Sequence, residues 1–141
     1  MSGKSDAALM AKLVAAAKAA RKNAYAPYSK YRVGAAIATK SGAIFTGCNV
    51  ENATYGATIC AERNAIGAMI AAGDHSPIAC AVVTAGPKAA APCGICRQVL
   101  YEFAADMPIA LVAEGAKAAR RDTTLATLLP DGFLLKRRAR P

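Results

Sequence analysis

The amino-acid sequence predicts an α/β fold in which helices lie on the faces of a mixed β-sheet. Helical and strand-like segments alternate along the chain in the order α-β-β-α-β-α-β, followed by a short final helix. The chain has 141 residues, of which 55% are hydrophobic, and this is enough for one core without disulfide bonds. Because the sequence contains no repeat and no internal boundary, residues 1–141 are predicted to form a single domain with a basic tail at 136–141.

The first part of the chain predicts a helix followed by a β-hairpin. The helix runs from about Asp6, which can cap it, to Asn23, and apolar residues at helical spacing give it a buried face. A loop that contains Pro27 follows. Two apolar runs, Val33 to Thr39 and Ala43 to Cys48, then flank a short turn with a glycine, which is typical of a hairpin.

The rest of the chain alternates between helices and buried strands. Thr58 is a candidate N-cap for a helix that reaches about Ala72, and Gly73 ends this helix. The later segments are separated by glycine, proline and polar residues. They are a strand at 78–84, a helix at 94–105, a strand at 108–113 and a short helix at 124–129.

Three cysteines and one glutamate form a pattern that indicates a catalytic zinc site. Cys93 and Cys96 are spaced so that both sulfurs can face one ion, and Cys60 is expected to join them from the start of another helix. The positive end of a helix favours thiolates at these positions. Three protein ligands leave the fourth zinc position to water, and Glu62 lies close enough to Cys60 to move protons without being a ligand.

Two arginines are candidates for tuning such a site. Three thiolates and Zn²⁺ sum to a charge of −1, which weakens the metal as a Lewis acid. Arg63 directly follows Glu62 and is the first candidate to donate hydrogen bonds to the ligand sulfurs, while Arg97, next to Cys96, is a weaker candidate.

A structural zinc site is the alternative, and it would need a fourth protein ligand. Cys80 lies in an apolar strand and is expected to be a buried, inert thiol, and the same expectation applies to Cys48. His75 lies in a predicted surface turn. A non-catalytic zinc module that holds a partner therefore stays open, although such a module has no need of Glu62.

Charge and hydropathy limit the classes of partner. The net charge of +9, from 18 basic and 9 acidic residues, keeps nucleic acid under consideration. The basic residues are spread along the chain without interleaved aromatic residues, so a nucleic-acid partner is not favoured. No apolar run reaches the roughly 18 residues that span a bilayer, and the N-terminus lacks the apolar region of a secretion signal. We expect a cytoplasmic protein with no membrane partner.

Several segments together resemble one enzyme family. Cys60-Ala61-Glu62 with Pro92-Cys93-x-x-Cys96 resembles the signature of the zinc-dependent cytidine deaminases. The resemblance covers nearly the whole chain and is strongest to the small homotetrameric form of these enzymes. The other segments that carry it are Tyr25–Ser29, Val33–Ala36, Gly47–Asn52 and Cys96–Val99.

The resemblance implies a three-layer α/β/α fold with a mixed five-stranded sheet. It also implies deamination of cytidine and 2′-deoxycytidine to uridine and 2′-deoxyuridine plus ammonia, a reaction of pyrimidine salvage. One Zn²⁺ per chain would be held by Cys60, Cys93 and Cys96, Glu62 would be the proton shuttle, and the active sites would lie at the subunit interfaces of a homotetramer. A related deaminase of another aminonucleoside such as blasticidin S, or of a polynucleotide, is the alternative within this class.

The same resemblance implies which residues contact the substrate. Asn49 and Glu51 match residues that hold the ribose hydroxyls. Tyr31 lies where the family has a phenylalanine against the base, so its hydroxyl is a departure from the family pattern. Phe133 matches an aromatic residue that reaches into a neighbouring subunit's site, and Tyr55 is placed at a subunit interface.

Overall fold

The structure is a computed structural model that describes residues 3–115 and 117–135. The described residues contain a mixed five-stranded sheet with the strand order β2-β1-β3-β4-β5, in which β3 and β4 are parallel and the other neighbours are antiparallel. This arrangement confirms the predicted α/β fold class and the implied five-stranded sheet. The predicted basic tail at 136–141 lies outside the described residues. The strands are β1 Gly34–Thr39, β2 Ile44–Cys48, β3 Pro77–Ala85, β4 Pro108–Glu114 and β5 Ala119–Thr124. The helices are α1 Gly3–Arg21, α2 Ala61–Ala71, α3 Gly94–Tyr101 and α4 Leu125–Leu128, with a 3₁₀ turn at Tyr55–Ala57.

Helices cover the sheet on both faces, because successive side chains of each strand point to opposite sides. On one face α1 packs with Leu13 and Ala17 against a layer that is rich in alanine. On the other face α2 and α3 bury Ile66, Met69 and Leu100 against the alternate residues of the same strands. The small side chains in both layers let the helices lie close to the sheet. Within the described part of the chain, every helix is too short or too polar to cross a lipid bilayer.

The strand β5 is the element that the local sequence pattern did not predict. Its residues include Arg120, Arg121 and Asp122, which are exposed, and it lies at the edge of the sheet. Charged residues on an edge strand oppose pairing with another chain, so such strands lack an apolar run. The order of elements predicted from the apolar runs therefore lacked the fifth strand.

The predicted helix boundaries differ from the structure in three places. Asp6 lies in the first turn of α1 and not at its cap, because the helix is already present from Gly3. Thr58 is not the N-cap of α2: its backbone is extended, and Cys60 takes the cap position. The helix α3 ends at Tyr101, four residues earlier than expected, because the chain turns where two successive N–H groups donate to the Leu100 carbonyl.

Candidate active site

The two helices α2 and α3 bring three cysteine sulfurs together. Cys60 is the N-cap of α2, Cys93 is the N-cap of α3, and Cys96 lies in the first turn of α3. The three Sγ atoms all lie within 4.8 Å of one another, and those of Cys60 and Cys93 are 3.9 Å apart. A tetrahedral zinc ion bound at about 2.3 Å to each sulfur would hold the sulfurs about 3.8 Å apart. The sulfur positions therefore fit a zinc ion.

The local structure leaves these sulfurs available to a metal. Neither Cys60 nor Cys93 makes a side-chain capping hydrogen bond, although each occupies a cap position. The partial positive charge at the N-terminus of α2 adds to the surroundings that favour the thiolate form of Cys60.

A hydrogen bond between two of the sulfurs shifts their pKa values in opposite directions. The thiol of Cys96 donates to the sulfur of Cys60, which lowers the pKa of Cys60 and raises the pKa of Cys96. Arg63 lowers the pKa of Cys60 further, because its Nη2 donates to that sulfur at 3.5 Å. The sequence predicted Arg63 as a residue that tunes a zinc site, and this role stays a prediction. Zinc ligands must be deprotonated, so the lowered pKa of Cys60 favours metal binding at that sulfur.

Glu62 lies beside the sulfurs without belonging to their group. It occupies the first turn of α2, and only 4% of it is exposed. Burial raises the pKa of its carboxyl group, while a hydrogen bond with Cys96 acts in the opposite direction. The raised pKa favours the protonated form of this carboxyl group, which can exchange its proton with a neighbouring atom.

A pocket of about 230 Å³ opens beside Glu62 and the sulfurs. Two predicted substrate-binding residues, Tyr31 and Asn49, lie on its wall. The amide of Asn49 is held in place, since its Oδ1 accepts from the Val33 N–H and its Nδ2 donates to the Tyr31 carbonyl, both at 2.8 Å. One lone pair and one amide hydrogen of Asn49 remain for a ligand.

The structure does not bring Glu51 or Phe133 onto this wall. The carboxylate of Glu51 accepts hydrogen bonds from the Ser29 hydroxyl and from the N–H groups of Tyr28 and Ser29, and these bonds lower its pKa. Glu51 therefore holds the loop that precedes Tyr31. Phe133 is 66% exposed, and Tyr55 is 71% exposed.

Other wall residues were not predicted from the sequence. They are Thr58, Ala61, Val82, Thr84, Ala90 and Ala91. Thr84 lies at the end of an apolar run, where its sequence context resembles that of any core residue. Its hydroxyl is buried and has no hydrogen-bond partner among the described residues. Only the fold, which carries alternate residues of β3 toward α2, reveals that it faces the site.

The side chains considered as a fourth ligand, Cys48, Cys80 and His75, do not belong to the sulfur group. Among the described residues, the three sulfurs form the one group of side chains that could hold a metal ion. Cys80 is fully buried, and burial raises the pKa of its thiol, as expected of an inert cysteine. Cys48 is half-buried at the end of β2, and His75 lies in the turn before β3. Arg97 donates to two backbone carbonyls rather than to a sulfur.

The fold and the site together define an α/β protein with three cysteines that could hold a metal ion and a buried carboxyl group in the adjoining pocket. Comparison with known proteins identifies the family. Residues 6–111 match the family described as the cytidine and deoxycytidylate deaminase zinc-binding region. The chain is 46% identical to a cytidine deaminase of Sporosarcina psychrophila over 86% of this chain and 89% of that protein. It is 40% identical to a cytidine deaminase of Halalkalibacterium halodurans over 86% of this chain and 91% of that protein.

A solved structure agrees with these relatives. The crystal structure of a cytidine deaminase from Burkholderia pseudomallei superimposes with a TM-score of 0.80 at 46% identity, covering 86% of this chain and 97% of that chain. The chain belongs to the zinc-binding cytidine and deoxycytidylate deaminase family.

Proposed function

We propose that this enzyme deaminates cytidine and 2′-deoxycytidine hydrolytically, producing uridine or 2′-deoxyuridine and ammonia. The observation that carries the proposal is the position of Glu62, a buried carboxyl group that faces the pocket next to three sulfurs without belonging to the sulfur group. A structural metal site has no need of such a group.

We assign Cys60, Cys93 and Cys96 as the ligands of one zinc ion per chain. When bound, zinc supplies the Lewis acidity that lowers the pKa of a water molecule and makes it a nucleophile at neutral pH. Arg63 reduces the excess negative charge of the three thiolates through its contact with Cys60.

Glu62 moves both protons that the reaction requires. It accepts a proton from the attacking water and delivers it to ring N3, which makes C4 of the pyrimidine electrophilic. The water oxygen forms a bond to C4, and Glu62 then takes the remaining proton from this oxygen and transfers it to the 4-amino group. The C4–N bond then breaks, ammonia leaves, and Glu62 returns to its starting state. One carboxylate thus serves as base and as acid in the same turnover.

The substrate residues are proposed from the pocket and its rim. Asn49 would bind the ribose through the lone pair and hydrogen that its backbone contacts leave over, and Tyr31 would pack against the base. Glu51 would contribute through the loop that it holds, in addition to any direct contact with the sugar.

We also propose that the enzyme is a homotetramer in which Phe133 reaches a neighbouring subunit's site. Large exposed side chains support this assembly, because an interface would remove their apolar surface from water. They include Tyr25, Tyr28, Tyr55, Ile95 and Phe133. A single domain and a cytoplasmic location are retained as predictions from the sequence.

The proposal is tested by separating the metal from the acid–base group. We expect Glu62→Gln to keep one zinc ion per chain and to lose at least about 100-fold in kcat for cytidine, the lower end of the range for acid–base catalysis. Cys93→Ala should lose both zinc and activity, while the control Cys48→Ala should keep both. A Glu62→Gln variant with a tenth of the wild-type rate, or a fully zinc-loaded Cys93→Ala variant, would refute the assigned roles.

A substrate panel tests the alternatives. Blasticidin S and a cytosine-containing oligonucleotide should be deaminated more slowly than cytidine at equal concentration. Faster turnover of either would change the substrate class without changing the chemistry. Zinc binding with no turnover of any amino-substituted pyrimidine would favour the non-catalytic zinc module.

A further inference from the structure

The guanidinium of Arg97 joins two segments that are distant in the sequence. Its Nε donates to the Pro92 carbonyl and its Nη1 donates to the Leu128 carbonyl, both at 2.7 Å. Pro92 immediately precedes the ligand candidate Cys93, and Leu128 is the last residue of α4. We infer that Arg97 is a positioning residue of the zinc site, which orients Cys93 by fixing the backbone on both sides of it.

The backbone around Cys93 depends on Arg97 twice. The side chain of Arg97 holds the Pro92 carbonyl. The main-chain N–H of the same residue donates to the Cys93 carbonyl at 3.0 Å. These two carbonyls belong to the peptide planes before and after the Cys93 Cα atom, and each plane is rigid. Fixing both planes therefore fixes the direction of the Cα–Cβ bond that carries the sulfur.

Packing does not orient Cys93 in the way that it orients the other two ligands. Cys93 is exposed, whereas Cys96 is buried and Cys60 is half-buried. Cys93 also lacks a side-chain capping bond. The orientation of the Cys93 side chain therefore depends more on backbone hydrogen bonds than do the orientations of Cys60 and Cys96.

Arg97 also connects the site to the C-terminal segment. Gln98 donates to the Phe133 carbonyl at 2.8 Å, and the ring of Tyr101 lies so close to Gly132 that a Cβ there would meet it at 2.8 Å. Together with the bond to Leu128, these contacts fasten the segment from 128 to 133 along α3. Among the α3 residues that make these contacts, Arg97 also binds the Pro92 carbonyl, which lies next to the proposed zinc ligand Cys93.

The first turn of α2 contains a comparable but different arginine. Arg63 donates to the Thr58 carbonyl at 3.3 Å and to the Cys60 sulfur at 3.5 Å, so it affects both geometry and charge. Both bonds of the Arg97 guanidinium go to carbonyls, so its effect on the site is geometric. The inference rests on the zinc site of the proposed function and adds a residue that holds the site without touching the metal.

The test measures zinc affinity in the full chain by competition with a chromophoric chelator. We expect Arg97→Met to bind Zn²⁺ about 10- to 100-fold more weakly, the usual effect of losing a group that orients a metal ligand. Gln98→Met is the matched control, because Gln98 lies on the same helix and holds the same C-terminal segment without contacting Pro92. It should retain the wild-type affinity. With Co²⁺ in place of zinc, the absorption bands of Arg97→Met should shift while those of Gln98→Met stay unchanged.

Either of two results would overturn the inference. A folded Arg97→Met variant with wild-type zinc affinity and an unchanged cobalt spectrum would show that Cys93 needs no such support. An equal loss in Gln98→Met would assign the effect to α3 as a whole. If Arg97→Met does not fold, Arg97→Lys provides the same comparison, because an ammonium keeps the charge but lacks the planar fork that serves both carbonyls. A wild-type chain that binds no zinc would instead refute the proposed function.

Discussion

Replacing Gly47 by alanine should move the helix that carries Glu62. Gly47 lies in β2 at the point where α2 crosses it, and a Cβ there would lie 2.5 Å from the Ala65 nitrogen and 2.9 Å from the Asn64 carbonyl carbon, with the Ala61 oxygen closer still. All three atoms belong to the backbone of α2, so no flexible side chain can move aside. Ordinary contact begins at 3.4 Å, so α2 must retreat from β2 by about 1.1 Å to clear the Ala61 oxygen.

The expected effect follows from that displacement. The first turn of α2 contains Glu62 and its cap is Cys60, so both groups move relative to Cys93 and Cys96 on α3. A displacement of about 1 Å at a catalytic group can lower the rate about 100-fold. Overpacking of this kind also costs roughly 1–3 kcal/mol in the free energy of unfolding. We expect Gly47→Ala to show both losses.

Gly67 provides a matched control on the same helix. A Cβ at Gly67 meets nothing within 4 Å, and the residue is exposed in the interior of α2. Gly67→Ala should therefore raise the free energy of unfolding by about 0.5–1 kcal/mol, because alanine loses less backbone entropy in a helix. The rate of cytidine deamination should not change.

The assay compares kcat/KM for cytidine, zinc content and urea-induced unfolding in the two variants and the wild type. The packing argument would be supported if the free energy of unfolding falls in Gly47→Ala and rises in Gly67→Ala, and if only Gly47→Ala loses activity. A Gly47→Ala variant with less than a tenfold loss in kcat/KM and wild-type stability would refute it, since α2 would then not depend on contact with β2.

Two further predictions follow from buried and charged groups. Thr84→Val removes a buried hydroxyl that has no hydrogen-bond partner among the described residues. The free energy of unfolding of the ligand-free enzyme, measured with urea, should therefore rise by about 1 kcal/mol. A decrease of that size would mean that the hydroxyl has a partner. Hydrogen bonds from the hydroxyls of Thr39 and Ser41 and from backbone N–H groups lower the pKa of Asp74 below its ordinary value of 3.8. Its stabilising contribution is thus fully present above that value and is lost as the pH falls through the lowered pKa. Asp74→Asn should melt at a lower temperature than the wild type at pH 7, and the difference should disappear at strongly acidic pH; a difference independent of pH would contradict the assignment.

The sequence was most informative where chemistry limits the choice of residue. The prediction that Cys60 joins Cys93 and Cys96 is confirmed, since the three sulfurs lie within 4.8 Å of one another. A metal site requires particular side chains at particular spacings, and the motif is therefore visible without the fold. The buried strands and the hairpin were also predictable, because long apolar runs have few alternatives to a sheet interior.

The sequence was less informative where the structure depends on contacts between distant segments. The N-cap at Cys60 was missed because Thr58 is a better cap by residue type, yet Ile59 pairs with Val50 and keeps the backbone extended up to the cysteine. The strand β5 was missed because its charged residues satisfy the needs of a sheet edge rather than of a core. The contacts of Arg97 with two distant carbonyls and the closure of Glu51 onto its loop follow from the fold, and no spacing in the sequence indicates either.

The most direct test of the central claim is the conversion of cytidine to uridine by purified protein, followed by ultraviolet absorbance, with the zinc content measured on the same sample. We expect turnover to be proportional to bound zinc up to one ion per chain, to disappear when a chelator removes the metal, and to return when Zn²⁺ is restored. A metal-free sample that turns over at the full rate, or a sample with one zinc ion per chain that leaves cytidine unchanged, would contradict the account.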